Sequence, residues 1–555
     1  MPLPALPTLA VSPTLFPFLS LSLFLSSALA LSTEPHCSVC IVGGGVSGLA
    51  AACALADSGT TSGSISDAAA AGGGVVLLEA ASVPGGRVRT DRTEDGYILD
   101  AGFAVFLEGY PLSRRLLDYD RLDLRRFDPG ALVVRRQGGG PAAAAAAAGE
   151  GDPPALSLGR VADPLRQPGR LLDALLSPVG SLLDKARLAP LLLHVRTSTV
   201  ADLFQEKETD ALSCLRGRWG FSEAFVGEFL APFLEGIYLC PLERQSSRMF
   251  HFVFKMFSEG EAALPRAGIG AVAEQLAAKA ARGGPGPGLE VEIRTDSPVA
   301  SISVVRGEAK DDGDGPAEFE VQVEGGPSVR AESVIVAADV RAARRLLSGA
   351  GFEGLGEEDG DPEPVDRSVG CLYYGFQGPA PIDEPILVLN GMGDGERGSA
   401  NSPINNACFP SVVSDTYAPK GCHLCSVTVL QGTMDAFEGR HGDLDRAVRR
   451  QLAEWFPAHA EAISDPALWD LKAVQHIRGA QPAQYACPYP ASANGGRAAD
   501  QFRGRTLPRG VFVAGDHHAT ASLNGALESG VNAARASHEF FTKKEMKKKE
   551  GSSDD

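Results

Sequence analysis

Apolar residues along this chain fall into two strand-like patterns. The runs CIVGG, VVLLEA, SVIVAAD and VFVAGD are almost continuously apolar, as strands of a parallel sheet buried on both faces are. They are scattered from Cys40 to Asp516, so the two ends and the middle of the chain must build one sheet. LEVEIRT, ASISVV and FEVQVEG alternate instead, which predicts a sheet with one wet face. Between these sets lie two longer blocks. The earlier is Leu-rich and helical in pattern, around GRLLDALLSPVGSLLDKARLAPLLLHV and GFSEAFVGEFLAPFLEGIYL. The later carries CLYYGFQG, PILVLNG and HLCSVTVL, then a helix in which Leu444, Val448, Leu452, Trp455 and Phe456 share one apolar face. The pattern predicts an α/β domain with a second lobe, a sheet backed by helices, made from two insertions.

Residues 36–110, 265–347 and 505–541 are read as three parts of the first domain, 111–264 as the helical first part of the lobe, and 365–500 as its second part. Residues 542–555 form a polar tail containing KKEMKKKE. Segments rich in Gly, Ala, Pro or acid, such as Ser58 to Gly74 and GGGPAAAAAAAGEGDPP, are expected to be surface loop expansions. Residues 1–31 read as a signal peptide or targeting segment: Leu15 to Ala30 is uninterruptedly apolar and ends in the cleavage-like Ala28-Leu29-Ala30. The expectation is passage into the secretory pathway, secreted or in the endoplasmic reticulum, or delivery to a plastid through a two-part address.

The bulk chemistry narrows the partners. A formal charge of −18 from 69 acids and 51 bases repels phosphate backbones and argues against nucleic acid. Peripheral membrane contact through the Leu-rich helices or the basic tail remains open. Ten cysteines include two C-x-x-C pairs, Cys37/Cys40 and Cys422/Cys425. Both pairs sit in or beside strand-like runs, where positions i and i+3 face opposite sides, so they are expected to be buried structural thiols and no metal site is assigned.

Three stretches satisfy G-x-G-x-x-G or its alanine variant. Gly349, Gly351 and Gly354 lack both strand and helix, and Gly268, Gly270 and Ala273 open a helix without a preceding apolar strand. Only Gly43, Gly45 and Gly48 have a strand before and a helix after, the context in which a pyrophosphate sits on a helix N-terminus. The acid that should end the next strand arrives late. Glu79 lies 31 positions after Gly48, where about 20 are usual. If Ser58 to Gly74 loops outward, Glu79 still reaches the ribose. A single such unit leaves no second site for a nicotinamide cofactor, so electrons must leave by another route.

Directly after Glu79 come ASVPGGRVRT and GYILDAGFAVFLEGYP, and later LPRAGIGAVAEQLA, DSPVASISV, SVIVAADVRAARRLL and GVFVAGDHHATASLNGALESGVNAARA. With the opening turn, these resemble the FAD-containing amine oxidase superfamily, which groups flavin amine oxidases, protoporphyrinogen oxidase and phytoene desaturases with the carotenoid isomerases. The resemblance runs in order from Cys40 to Phe541. It implies a Rossmann-like FAD-binding domain of the glutathione-reductase type with an inserted α+β substrate-binding lobe, and FAD as cofactor. It further implies that Gly43, Gly45, Ser47 and Gly48 hold the pyrophosphate, Glu79 the adenosine ribose, Gly86 and Arg87 the phosphate or flavin side, and Val299 the adenine. Ala101, Gly102 and Phe103 would pass beside the flavin ring. Gly515 and Asp516 would meet the ribitol, and Leu523 and Asn524 would place a helix N-terminus at the flavin edge, where charge collects on reduction.

His517, His518 and Lys255 are the candidates for acid/base or flavin-supporting chemistry. The expected reaction is hydride removal from a C–N or C–C unit of a small or apolar substrate, with oxygen or a quinone as acceptor. A redox-neutral isomerase or desaturase of the carotenoid type, and a non-catalytic FAD-bound scaffold, are the alternatives.

Overall fold

In the computed structural model, the structure describes residues 36–58, 74–136, 155–163, 166–283, 291–306, 318–349, 366–393, 395–483, 507 and 509–551. The apolar targeting segment, most of the Ser58 to Gly74 insert, the alanine-rich stretch and the Gly349 to Gly354 turn lie outside them, apart from Gly349 itself.

β1 (His36–Val42) is the centre of the first sheet, because an apolar run fits only where both faces are covered. It pairs in parallel with β2 (Val75–Leu78) on one side and β3 (Val329–Val336) on the other. The C-terminal half of β3, Val334 to Val336, then pairs in parallel with β4 (Val511–Val513). The strand Val291–Arg294 adds to β2 in parallel. It is an edge strand, and there the same alternation arises because one face of a parallel strand meets solvent. The strands Val299–Arg306 and Glu318–Val323 are antiparallel and continue the sheet beyond the first half of β3.

α1 (Val46–Ser58) lies against this sheet and against the long helix Leu523–Gly551. The helices come so close that a Cβ on Gly530 would fall 2.1 Å from the Ser47 carbonyl oxygen. Helix Leu523–Gly551 takes in the Lys-rich segment that the sequence sets apart as a tail.

The second lobe is a seven-stranded sheet in the order Trp469–Pro482, Asp366–Gln377, Cys422–Leu430, Asn406–Cys408, Leu387–Asn390, Gly130–Arg136 and Leu156–Ala162. The last two form a hairpin from the earlier insertion, so the part expected to be helical also supplies strands. Gly130–Arg136 joins Leu387–Asn390 in parallel. Helix His441–Trp455 backs this sheet and buries Leu444, Val448, Leu452 and Trp455, with Phe456 just beyond its end. Apart from the short paired strands Leu124–Arg126 and Ala262–Pro265, the rest of the earlier insertion is largely helical, including α2 (Leu171–Leu176) and α3 (Leu182–Thr197).

The nine cysteines among the described residues are free thiols. Cys422 and Cys425 pack into different clusters, on opposite sides of their strand. Cys37 and Cys40 do not behave that way. The Ser38 and Val39 amides converge on the Gly74 carbonyl oxygen (3.0 and 3.5 Å), and both thiols enter the same cluster. The Cys37 thiol beside it, together with burial, holds the Cys40 thiol well above its ordinary pKa.

Candidate functional site

The glycine turn follows β1 directly. Gly43 takes a φ of +107°, and its N–H donates to the Leu78 carbonyl oxygen at 2.8 Å, tying the turn to β2. A Cβ on Gly48 would lie 1.9 Å from the Gly43 carbonyl oxygen, so α1 can start this close to the turn only with glycine there. Gly45 is the opposite case: a Cβ built on it would meet nothing within 4 Å. That open position stands at the N-terminus of α1, whose first turn contains Ser47 and no acid. The Gly85 N–H donates to the Gly44 carbonyl oxygen at 2.9 Å, bringing Gly86 and Arg87 alongside. An uncovered helix N-terminus flanked by glycines is a cradle for a pyrophosphate.

Glu79 follows the end of β2 and is buried. Its Oε2 accepts from the Gly44 N–H at 2.6 Å and its Oε1 from the Ala81 N–H at 2.8 Å. The carboxylate therefore sits on the turn despite the 31-residue separation, because the insert begins where α1 ends and returns at the start of β2. Val299 opens its strand elsewhere in the same sheet and is buried against Val42, Val76 and their neighbours.

At the far end of the site, Gly515 and Asp516 follow β4. The Gly515 N–H donates to Ser529 Oγ at 2.9 Å. Asp516 is buried, and its Oδ1 accepts from Arg87 Nη2 at 2.6 Å; Arg87 Nη1 also donates to the Ala480 carbonyl oxygen at 3.2 Å. The Asp516 charge raises the pKa of Arg87. Two buried polar atoms on residues adjoining this trio, His517 Nε2 and Gln481 Oε1, have no protein partner, as expected where a polar ligand completes the network. Asn524, near the start of helix Leu523–Gly551, accepts from the Leu112 N–H through Oδ1 at 3.0 Å.

Ala101, Gly102 and Phe103 line a cavity of about 750 Å³ that runs between the domains. Sequence reasoning missed what positions this turn. Asp100 is buried and accepts from Thr90 Oγ1 (2.6 Å), Tyr417 Oη (2.7 Å) and the Ile269 N–H (2.9 Å). Burial raises its pKa. Tyr373 Oη lies 3.0 Å from both the Asp100 and Gly102 carbonyl oxygens, and Gln475 Oε1 accepts from the Gly102 N–H at 2.8 Å. The one local signal was an acid inside the otherwise apolar YILDAGF.

The three residues expected to supply acid/base or flavin-supporting chemistry do not line this cavity. His517 is buried under Gly515. Burial first, then the nearby Arg87 and Arg344 charges, push its pKa down to about 3, so it is a neutral side chain. Burial likewise carries His518 well below its ordinary value. Lys255 is spent inside the helical part of the lobe: Nζ donates to the Val195 carbonyl oxygen at 3.1 Å and pairs with Glu259 at 2.5 Å.

Elsewhere in that lobe His194, Glu206 and His251 bring ligand-type atoms within 4.8 Å of one another. Arg218 already bonds to Glu206 (2.6 Å) and contacts His194 (3.1 Å), supplying the positive charge of that cluster.

The chain matches the flavin containing amine oxidoreductase family over residues 46–537 and belongs to it. It is an FAD-dependent oxidoreductase, with a Rossmann-like domain and an inserted lobe. Solved structures share the fold at low identity. A protein from Exiguobacterium sp. 255-15 described as a candidate protoporphyrinogen oxidase is 18% identical, with a TM-score of 0.58 over 92% of this chain and 98% of its own. An oxidoreductase from Methanosarcina mazei is 15% identical, with a TM-score of 0.59 over 90% of this chain and 100% of its own. Putrescine oxidase bound to putrescine is 15% identical, with a TM-score of 0.56 over 90% of this chain and 98% of its own. No curated protein sequence matches the chain significantly.

Proposed function

We propose that this oxidoreductase removes a hydride from a C–H bond of an apolar substrate held in the inter-domain cavity. The observation that carries the reading is the cavity wall. Phe225, Phe229, Phe233 and Phe257 form a continuous ladder with ring centroids 5.4 to 5.8 Å apart, and all four line the cavity. A widened helical turn over Val226–Leu230, in which the Ala231 N–H reaches back to the Val226 carbonyl oxygen, keeps rings four residues apart in line. Most of the charges in the wall are already neutralised. Arg166 pairs with Asp163 and Glu261, and Arg87 pairs with Asp516; Lys185 keeps its charge but is held by the Leu175 and Ser177 carbonyl oxygens. Such a wall favours a hydrocarbon or aromatic frame over a polycation.

Gly43, Gly45, Ser47, Gly48 and Glu79 would hold the nucleotide end of FAD, and Arg87, Asp516 and Asn524 the flavin end. Bound FAD supplies a two-electron acceptor that takes a hydride and passes the electrons to oxygen or a quinone. The chain's own contribution is positioning and dryness: the Asp100 network fixes the Ala101 to Phe103 turn, and the phenylalanine ladder excludes water from the reacting carbon.

Anaerobic mixing of the FAD-loaded protein with a polyamine, a porphyrinogen and a polyene tests this. Flavin bleaching by the porphyrinogen or polyene is expected, and bleaching by the polyamine alone overturns the apolar assignment. Strict dependence of turnover on NADPH would overturn the choice of acceptor.

A further inference from the structure

One stretch of the cavity wall is polar and uncharged. The lobe sheet meets the cavity through Ile477, Val369, Thr428 and Asn406, one from each of four neighbouring strands. The first two are apolar and lie against the Gly102 turn: a Cβ on Gly102 would come 2.7 Å from Ile477 Cδ1 and 4.0 Å from Val369 Cγ1. Asn406 and Thr428 sit opposite each other on adjacent antiparallel strands, and each is only 3% exposed. Asn406 Nδ2 donates to Thr428 Oγ1 at 3.1 Å, and Asn406 Oδ1 accepts from Asn405 Nδ2 at 2.9 Å. These two bonds set the orientation of the Asn406 amide, because a flipped amide would place its NH2 group against that of Asn405. They also leave two donors over. The second Asn406 N–H and the Thr428 hydroxyl hydrogen have no acceptor among the described residues. Gly236, inside the helix Ala231–Tyr238, lines the same part of the cavity, and a Cβ there would fall 2.8 Å from Asn405 Nδ2 and 3.0 Å from Asn406 Oδ1. Glycine is otherwise poor in a helix interior; here it lets the helix close on the asparagines without a side chain that would displace or cover them.

We propose that Asn406 and Thr428 form a specificity site that binds a neutral carbonyl oxygen carried by the otherwise apolar substrate. This rests on the cavity being the substrate site and deepens that reading. A pair that served only to join its two strands would need no spare donors, since the strands are already laddered through their backbones. Buried donors without acceptors are costly, so these two call for a partner that the chain does not supply. Two neighbouring donors suit an oxygen with two lone pairs. Neutrality follows from the surroundings. None of the side-chain hydrogen bonds of Asn405, Asn406 or Thr428 reaches a charged group. The cations of the wall are held elsewhere, Arg87 by Asp516, Arg166 by Asp163 and Glu261, and Lys185 by carbonyl oxygens. A carboxylate would therefore be buried without a counter-charge. A pure hydrocarbon would leave both donors dry and unpaired, so the pair selects against it. The bound oxygen pins the substrate on the sheet face that also meets the Gly102 turn, so the carbon presented beside that turn depends on its distance from the oxygen.

The test is calorimetric titration of the full-length, FAD-loaded protein with benzophenone, diphenylmethane and diphenylacetate, similar frames that carry a carbonyl, no oxygen and a carboxylate. Benzophenone is expected to bind about tenfold tighter than diphenylmethane, and diphenylacetate no tighter than diphenylmethane. Thr428→Val, close to isosteric, is expected to cut the benzophenone preference to about threefold or less while leaving the diphenylmethane affinity unchanged. Thr428→Ser, which keeps the hydroxyl, is expected to restore the preference. A second measurement needs no variant and decides the matter should Thr428→Val fail to fold. The infrared carbonyl stretch of benzophenone bound to the wild type is expected to lie below its value in a hydrocarbon solvent. Equal wild-type affinity for benzophenone and diphenylmethane, a preference that survives Thr428→Val, tightest binding of diphenylacetate, or an unshifted carbonyl stretch would overturn the proposal and leave the apolar cavity as the substrate site. Binding of none of the three compounds would remove that functional reading together with the proposal.

Discussion

α1 and α3 are both helices rich in Leu and Ala, and they differ in how completely their leucines are covered. In α1, Leu49 and Leu55 are fully enclosed between the sheet and helix Leu523–Gly551. In α3, Leu191 and Val195 are buried, while Leu182, Leu183 and Leu193 face outward. The contrast teaches that an apolar run reports how a segment avoids water and leaves open which neighbour provides the shelter. α1 finds it in its own chain, and α3 has an apolar face that no described element of the chain covers.

Stability measurements break or sharpen that contrast. Leu49→Ala in α1 removes a fully packed side chain and should cost about 2–5 kcal/mol by denaturant unfolding; a cost below about 1 kcal/mol would mean the core is looser than the structure has it. Glu79→Ala, at the edge of the same core, orphans the Gly44 and Ala81 N–H groups. It should cost about 1–3 kcal/mol and release FAD more readily on gel filtration, with Glu79→Gln milder in both.

His517 offers a pH test of the same core. Its folded pKa of about 3 lies below the unfolded value, so the folded state resists protonation. Stability should therefore fall as pH drops below about 6.5, by about 2 kcal/mol near pH 5 from this group. The His517→Asn variant should show a flatter acid limb in melting temperature against pH, and an unchanged limb would show that the group titrates normally. The smallest effect belongs to α2: Leu176→Ala should change the unfolding free energy of the protein in buffer by less than about 0.5 kcal/mol.

Much of the first domain was legible because its signals are local. A strand, a glycine turn and a helix in sequence order identify the Gly43 to Gly48 turn, and backbone geometry there leaves few alternatives. Glu79 could be placed because an insertion between two fixed elements changes spacing without changing where the second element ends. The hairpin Gly130–Arg136 and Leu156–Ala162 was not legible as part of the lobe sheet, since its partner strand begins at Leu387, and nothing in either segment names the other. The Cys37 and Cys40 thiols enter one cluster, which strict alternation does not express. Lys255, His517 and His518 looked chemical by residue type, and only tertiary packing shows where their polar atoms go. The leucines of α2 and α3 carried a helical period whose direction, inward or outward, depends on neighbours distant in sequence.

The parallel sheet draws β1 and β2 from the first 78 residues, β3 from residues 329–336 and β4 from 511–513, and α1 is then covered by a helix that begins at Leu523. During synthesis, the helix that covers α1 is made several hundred residues after α1 itself. The early strands must wait, with their apolar faces unpaired, for several hundred residues of lobe to be made. Long-range pairing of this kind slows folding and exposes sticky intermediates. The cradle and its covering helix are therefore complete only once the helix from Leu523 has been made, long after β1 and β2.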